Sequence, residues 1–169
     1  MNKPRCLIIH HSGGTDANPL ADTSHHTAEV IKSWHLAKGW SDVGYHWLIE
    51  RNGKIVKGRD EMSTGAHCVG WNEKSIGICV IGNFDATLPT KEQEDSLRML
   101  LREILNRYPN IPKDAIYPHR KYAVKSCYGK KLSDTWAVDL LKTKQEEMVN
   151  LLVPKSKVEV IINFINSLK

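Results

Sequence analysis

The sequence contains no apolar run long enough to cross a membrane, since no stretch approaches the roughly 20 residues that a spanning helix requires. Near the N-terminus, the apolar run 6–9 is too short for the hydrophobic core of a signal peptide. We therefore expect no signal peptide, no membrane insertion and a location in the cytoplasm of the producing cell. Internal repeats and low-complexity tracts are also absent, which excludes a repeat architecture.

Cysteine is scarce, with four residues in the chain: Cys6, Cys68, Cys79 and Cys127. Four cysteines could form two disulfides in an exported protein, but a cytoplasmic chain keeps its thiols reduced. Cys6 and Cys79 lie inside apolar runs and are expected in the core as small hydrophobic residues. Cys127 does not lie in such a run, so its thiol needs another explanation.

Composition and charge bound the class of protein without deciding its function. The 169 residues, 41% hydrophobic and 25% charged, are typical of one ordinary globular domain. The net charge of +5 comes from the second half, where residues 86–169 carry 15 Lys and Arg against 10 Asp and Glu. This asymmetry suits an anionic partner such as a cell-wall polymer, nucleic acid or a membrane surface, and equally a solubilising surface.

Alternating strand and helix patterns predict an α/β fold, a central mixed β-sheet flanked by helices in a single domain. Strands are predicted at 5–10, 75–83 and 115–117, a hairpin at 45–60, and helices at 24–38, 90–108 and 136–152. Asn52-Gly53 marks a two-residue hairpin turn, and Thr90 with Gln93 forms a capping box. In the first helix the predicted inner face consists of Thr27, Val30, Ile31, Trp34 and Ala37.

The C-terminal residues form a separate tail in our interpretation. We assign residues 1–153 to the main domain and residues 154–169 to the tail, which follows a linker that begins at Pro154. Apolar residues in the tail fit a helical stripe, but several also alternate as in a strand. We favour a short helix that docks on the domain, because an apolar stripe is costly to leave in water.

One short segment concentrates residues that can carry chemistry. The stretch "IYPHRKYAVKSCYGK", residues 116–130, contains His119 and Cys127. Five basic residues lie in the segment from Arg120 to Lys131, both ends included. Neighbouring cations favour the thiolate, which makes Cys127 either a nucleophile or a metal ligand. The nucleophile interpretation lacks an obvious Asn or Asp to orient the histidine. A zinc site would use both residues as ligands.

A catalytic zinc site needs a third protein ligand, and the end of the first strand offers two histidines. Strand alternation places the side chains of His10 and His11 on opposite faces of the sheet. Only one of them can therefore reach a common site. The residue pattern alone does not choose between them.

Four separated motifs resemble the type-2 N-acetylmuramoyl-L-alanine amidases, and most of all the amidases that act as phage lysozymes. They are "IIHHSGG", "WHLAKGWSDVGYHWLIERNGKIVKGRDE", "GAHCVGWNEKSIGICVIGNFD" and "PHRKYAVKSC", in the order and spacing of that family. Animal peptidoglycan-recognition proteins share its fold. The resemblance covers about residues 5–140, and four motifs in order are far more specific than any one of them.

The resemblance implies a set of site residues and an activity. The implied zinc ligands are His10, His119 and Cys127; the catalytic residues are Tyr45 and Lys125; the substrate-binding residues are His67, Trp71 and Asn72. Arg59 is implied only in a supporting position. The implied reaction is zinc-dependent hydrolysis of the amide between the lactyl group of N-acetylmuramic acid and L-Ala. The implied partner is peptidoglycan, acted on by a monomeric phage endolysin after its release from the producing cell.

One departure from the family pattern and two rival functions are considered at this point. Many family members follow the ligand cysteine with Pro-Gly, whereas Tyr128-Gly129 stands here, so we expect a less rigid loop. A recognition protein that binds muropeptide without cutting it is the first rival, although family members of that kind lack the ligand cysteine. Nucleic-acid binding through residues 120–131, with Tyr122 and Tyr128 as stacking platforms, is the second and is not expected.

Overall fold

A computed structural model describes residues 1–15 and 17–142 and contains one five-stranded sheet. The strands are β1 (Cys6–His11), β2 (Trp47–Ile49), β3 (Ile55–Lys57), β4 (Ser75–Val80) and β5 (Ile116–Pro118). Their order across the sheet is β3-β2-β4-β1-β5. All neighbouring pairs are parallel except β2 and β3, which are antiparallel. The predicted mixed sheet is therefore confirmed.

Strands β1 and β4 are buried along their whole length because both faces of the sheet are covered. All six residues of β1 and all six residues of β4 are buried. Continuous burial without polar alternation is typical of parallel strands with a layer on each face. Cys6 and Cys79 lie in these strands as predicted, and all four cysteines are unpaired.

The helices α1 (Ala28–Ala37) and α2 (Lys91–Arg107) cover opposite faces of the sheet. The capping box of α2 is present as predicted, with Thr90 and Gln93 bonding to each other's backbone N–H. The inner stripe of α2 is formed by Leu97, Leu100, Leu101 and Ile104, which are buried.

The predicted inner face of α1 is partly wrong. Ala28 and Ile31 are the buried residues of this helix, while Trp34 is 41% exposed and Ala37 is also exposed. The helix lies beside an open cleft, so one apolar edge faces that cleft and not the core. Periodicity alone cannot distinguish these two surroundings.

The hairpin is confirmed, but its turn differs from the prediction. Ile49 pairs with Ile55, and the N–H of Glu50 donates to the carbonyl of Lys54 at 3.0 Å. This pairing leaves a three-residue loop in which Gly53 has φ of +82°. A turn that ends in a left-handed glycine is the usual three-residue alternative to the predicted two-residue turn.

The last described element is α3 (Trp136–Asp139), which starts where the third helix is predicted. The remainder of that predicted helix and the predicted docked tail at 154–169 lie outside the described residues. Within residues 1–15 and 17–142, no helix is both long and apolar enough to span a bilayer.

The carboxyl ends of β1 and β5 are adjacent, and both lead into residues that can carry chemistry. His10 and His11 end β1, and a short 3₁₀ helix, His119–Lys121, follows β5 directly. In parallel sheets, ligand sites form at this edge, where the strands end and the loops begin. The fold thus brings residues separated by more than one hundred positions to one place.

Candidate functional site

His10, His119 and Cys127 meet at the carboxyl ends of β1 and β5. One ligand atom from each residue lies within 4.8 Å of the other two. Nδ1 of His10 is 3.7 Å from Sγ of Cys127, and the rings of His10 and His119 have centroids 4.4 Å apart. Two imidazoles and one thiol are thus placed to converge on a single small ion.

The structure brings His10, and not His11, into this cluster. His11 points to the other face of the sheet, where its Nδ1 accepts a hydrogen bond of 3.0 Å from the backbone N–H of Phe84. Its own backbone N–H still reaches the site and donates to Sγ of Cys127 at 3.4 Å. The alternation of β1 therefore gives the two histidines different roles.

The loop that carries Cys127 is fixed by Arg120 and by the buried side chain of Tyr128. The guanidinium of Arg120 donates to the carbonyls of Gly129 at 2.6 Å and Leu132 at 2.7 Å. The Tyr128 ring is fully buried, and its hydroxyl donates to the carbonyl of Ser133 at 2.9 Å. These contacts hold the loop in place around Cys127.

Asp85 ties the same loop to the end of β4. One carboxylate oxygen accepts from the hydroxyl of Ser126 at 2.5 Å, and the other accepts from the backbone N–H of Lys130 at 2.7 Å. Burial tends to raise the pKa of Asp85, but these hydrogen bonds outweigh it and the pKa is lowered. The ionised carboxylate therefore braces residues on both sides of Cys127.

The thiol of Cys127 is not kept ionised by its basic neighbours, contrary to the sequence-based expectation. Burial raises its pKa to about 12, and the opposing effects of the His11 N–H, Lys125 and Arg120 are smaller. Only 8% of the residue is exposed. A thiolate at this position needs a stronger positive partner than the loop lysines, and a bound metal ion is such a partner.

The two histidines are held in the neutral form, which is the form that binds metals. The pKa of His10 lies well below its ordinary value because of burial and then of His67 and His119. The pKa of His119 is lowered by burial and then by the charge of Lys125. Neither ring has to lose a proton at neutral pH before it can offer a lone pair.

This donor set fits zinc. Zinc binds imidazole nitrogen and thiolate sulfur, and catalytic sites provide three protein ligands and an open position. The three ligand atoms converge within 4.8 Å, and they line a cleft of about 900 Å³. Neutral imidazoles and a deeply placed sulfur suit zinc better than magnesium or calcium, which prefer oxygen ligands.

Tyr45 and Lys125, the two predicted catalytic residues, line the same cleft as the three ligands. The ring centroid of Tyr45 is 5.1 Å from that of His10. Lys125 is exposed, and its charge is close enough to lower the pKa of His119. The backbone from Lys125 to Cys127 is bent and not extended, and both residues border the cleft.

The phenol of Tyr45 stays protonated at neutral pH. Burial raises its pKa well above the ordinary value, and the neighbouring thiols of Cys79 and Cys127 raise it further. The group is therefore a hydrogen-bond donor and a poor base.

The three predicted substrate-binding residues are placed differently from one another. His67 lines the cleft, and its Nδ1 is 3.1 Å from Nε2 of His10. Asn72 does not line it; its Oδ1 accepts hydrogen bonds of 2.8 Å from the N–H groups of His67 and Cys68. Trp71 packs on the ring of Tyr122, with centroids 4.2 Å apart, and is also absent from the cleft lining.

Several residues that line the cleft were not predicted as site residues from the sequence. Among them are Trp34, His35 and Trp40, on and after α1. His35 stacks on Trp40 with centroids 4.5 Å apart and accepts a 3.0 Å hydrogen bond from the N–H of Gly44. The partial exposure of the two tryptophans marks them as cleft residues, and exposure is not visible in a sequence pattern.

Arg59, expected in a supporting position, ties loops together. Its guanidinium donates to the carbonyls of Val43 at 2.7 Å and Thr64 at 2.9 Å. These bonds fix the segment that precedes Tyr45 and the segment that precedes His67.

Comparisons with known proteins match this chain to one family. The model of the N-acetylmuramoyl-L-alanine amidase family Amidase_2 matches residues 1–133. The endolysin of Escherichia phage T7 is 40% identical over 119 residues, which are 67% of this chain and 76% of that protein. The solved structure of the N-acetylmuramoyl-L-alanine amidase LysC from Clostridium intestinale URNW is 29% identical with a TM-score of 0.71, covering 85% of this chain and 88% of that one.

A recognition protein is similar as well. A Drosophila PGRP-LB mutant in complex with tracheal cytotoxin is 26% identical with a TM-score of 0.66, covering 78% of this chain and 79% of that one. The amidases and the recognition protein share the fold described above, and the family model spans every strand and the three converging residues. The chain therefore belongs to the Amidase_2 family of N-acetylmuramoyl-L-alanine amidases.

Proposed function

We propose that this protein is a zinc-dependent N-acetylmuramoyl-L-alanine amidase that hydrolyses the amide between the lactyl group of N-acetylmuramic acid and L-Ala in peptidoglycan. The observation that carries the proposal is the convergence of His10, His119 and Cys127 within 4.8 Å at a cleft that Tyr45 and Lys125 also line. Family membership supplies the reaction, and this geometry supplies residues able to perform it.

His10, His119 and Cys127 hold the zinc ion in this proposal. When bound, zinc supplies Lewis-acid polarisation of the scissile carbonyl and a water acidic enough to attack near neutral pH. The protein contributes neutral imidazoles, and the N–H of His11 donates to the sulfur at 3.4 Å. A hydrogen bond to a thiolate moderates its negative charge and fixes its direction.

Tyr45 acts as a hydrogen-bond donor at the reacting centre. Its raised pKa keeps the hydroxyl proton in place, so it orients a reacting oxygen and does not remove the proton of water. Orienting the reacting oxygen, and not deprotonating water, is the role that fits this burial.

Lys125 stabilises negative charge that develops on the carbonyl oxygen. It is a cation at the mouth of the cleft, close to His119, and its side chain is exposed enough to reach a substrate. Attack on the carbonyl carbon makes the oxygen anionic, and breakage of the C–N bond then leaves a carboxylate and a free amine that takes up a proton. A positive group aimed at that oxygen lowers the barrier for the first step.

The biological role follows from the relatives and remains part of the proposal. Several of the most similar proteins are phage endolysins. We infer that this chain is an endolysin as well, held as a monomer in the cytoplasm of the producing cell and acting on the cell wall after release. The tail at 154–169 stays a predicted docked helix outside the described residues.

A recognition protein that binds peptidoglycan without cutting it is the alternative function, since such proteins share the fold. The intact cluster favours an enzyme. A binding protein needs neither a buried thiol beside two neutral imidazoles nor a tyrosine and a lysine beside them.

The test is metal analysis of purified protein, paired with turnover on purified peptidoglycan. We expect one zinc per chain, its loss in Cys127→Ala and His10→Ala, and full retention in His11→Ala, because His11 faces the other side of the sheet. Wild-type zinc content in Cys127→Ala would refute the ligand set. Zinc binding without any cleavage would favour the recognition protein.

A further inference from the structure

The ring of His67 is held rigidly against the sheet beside His10. It lies against the backbones of Gly65 and Gly77, where a Cβ atom would come within 2.6 Å and 2.5 Å of the imidazole. The absence of side chains at these two positions is what lets the ring approach the sheet so closely. His67 therefore has almost no freedom to turn or retreat.

The backbone of His67 is fixed by a separate set of bonds. Oδ1 of Asn72 accepts from the N–H groups of His67 and Cys68, both at 2.8 Å. The N–H of Ala66 donates to the carbonyl of Gly44 at 2.9 Å. These contacts are internal to the protein, so the ring is in position before any substrate arrives.

The contact between His67 and His10 has only one direction that is compatible with a bound metal. Nδ1 of His10 faces Sγ of Cys127 at 3.7 Å, so it is the nitrogen that points into the metal cluster. A metal ligand must offer a lone pair, which places the proton of neutral His10 on Nε2. That Nε2–H then donates to Nδ1 of His67 at 3.1 Å, and His67 must accept.

We propose that His67 is a positioning residue that fixes the ring orientation and the tautomer of His10 for zinc binding, with Asn72 holding His67 in place. This inference rests on the proposed metal centre. The positioning role that it gives His67 is separate from substrate binding. Metal-bound histidines usually donate their second N–H to a carboxylate, a carbonyl or water, and here a second imidazole is the acceptor. Loss of such an acceptor typically weakens metal affinity by about 10- to 100-fold.

Two substitutions of nearly identical shape test whether the acceptor matters. In His67→Asn, an amide oxygen takes the place of Nδ1 and can still accept from His10. In His67→Leu, a methyl group takes the same place and cannot accept. We expect His67→Leu to weaken zinc binding by about 10- to 100-fold and His67→Asn to stay close to the parent, measured on the full chain by competition with a chromophoric chelator.

A second measurement reads the tautomer directly and does not depend on activity. In the zinc-loaded parent, ¹⁵N-detected imidazole spectra should show His10 protonated on Nε2, with the proton resonance shifted downfield by its hydrogen bond. This shift should persist in His67→Asn and disappear in His67→Leu. His25→Leu, at an exposed histidine that does not line the cleft, serves as the control and should match the parent in both measurements.

The outcomes separate this inference from the proposed function. Equal zinc affinity in the parent, His67→Asn and His67→Leu would overturn the positioning role while leaving the metal centre intact. Equal weakening in both variants would also overturn it, because the ring and not the acceptor would then be responsible. A parent chain that binds no zinc at all would overturn the metal centre itself.

Discussion

Tyr45 lies beside the proposed metal site and keeps its hydroxyl proton. Replacing Tyr45 should therefore remove a hydrogen-bond donor from the site. We expect Tyr45→Phe to lower kcat by about 10²–10³-fold, because a donor to the reacting oxygen is lost. Since burial raises the pKa of Tyr45 above the ordinary tyrosine value, the ratio of kcat in the parent to kcat in Tyr45→Phe should stay constant up to about pH 9. The measurement is turnover of soluble muropeptide across pH, with zinc content checked by metal analysis. A kcat near that of the parent would remove Tyr45 from the mechanism.

Lys125 is a single charge at the mouth of the cleft, and its effect can be separated from the general basicity of the loop. We expect Lys125→Ala to lower kcat by about 10²–10³-fold while zinc stays bound, because the positive group that meets the developing oxyanion is gone. Lys130→Ala is the matched control, since Lys130 belongs to the same loop but does not line the metal cleft. If both variants lost activity equally, the net charge of the loop and not the position of Lys125 would be responsible.

At the scale of structural elements, the loop from Ser126 to Leu132 depends on the buried side chain of Tyr128. We expect Tyr128→Phe to lower the free energy of unfolding by about 1–2 kcal/mol, because the single proton of its hydroxyl has two carbonyl acceptors within reach, those of Ser133 at 2.9 Å and Asp134 at 3.0 Å. Urea denaturation of the two proteins gives the difference.

The control for this substitution is Tyr122→Phe in the same segment. Among the described residues, the Tyr122 hydroxyl makes no hydrogen bond, so its removal should change stability by less than about 0.5 kcal/mol. Equal stability of all three proteins would show that the Tyr128 hydroxyl does not hold the loop.

Glu61 connects the sheet to α2 and gives stability a pH dependence. Its carboxylate accepts from Nε1 of Trp47 at 2.7 Å and from Arg107 at 2.7 Å. Burial tends to raise the pKa of Glu61, but these two partners outweigh it and the pKa is lowered. A carboxyl group with a lowered pKa stabilises the fold fully above its ordinary value of 4.5 and loses that contribution as the pH falls through the folded-state pKa.

We therefore expect Glu61→Gln to lower the free energy of unfolding by about 1–2 kcal/mol at neutral pH and by less in acid. Glu103→Gln is the control, since Glu103 is 3.9 Å from the same Arg107 and its side chain is 57% exposed. An exposed pair of this kind contributes about 0–1 kcal/mol. A deficit in Glu61→Gln that did not shrink at low pH would contradict the role of its charge.

At the scale of the whole molecule, local patterns predicted the elements better than the contacts between them. The capping box of Thr90 and Gln93 and the strands β1 and β4 follow from neighbouring residues, and the structure contains them. The contact of His10 with His67 joins residues 57 positions apart, and no local pattern contains it. The choice of His10 over His11 likewise depends on which face of the sheet meets the Cys127 loop.

Burial is the other quantity that the sequence could not supply. The basic neighbours of Cys127 suggested a stabilised thiolate, but burial raises its pKa to about 12 and outweighs them. Trp34 fits a helical core stripe in the sequence and is 41% exposed at the cleft in the structure. Both differences arise because solvent exposure is a property of the assembled fold.

End-group mass spectrometry of purified peptidoglycan, digested by the zinc-loaded protein and in parallel by Cys127→Ala, tests whether the metal cluster cleaves the lactyl–L-Ala amide. We expect free peptides with new L-Ala amino termini and intact glycan chains, and no new L-Ala termini with Cys127→Ala, which lacks the sulfur ligand. New reducing sugar ends without new amino termini, or an undiminished yield of L-Ala termini from Cys127→Ala, would contradict the proposed function.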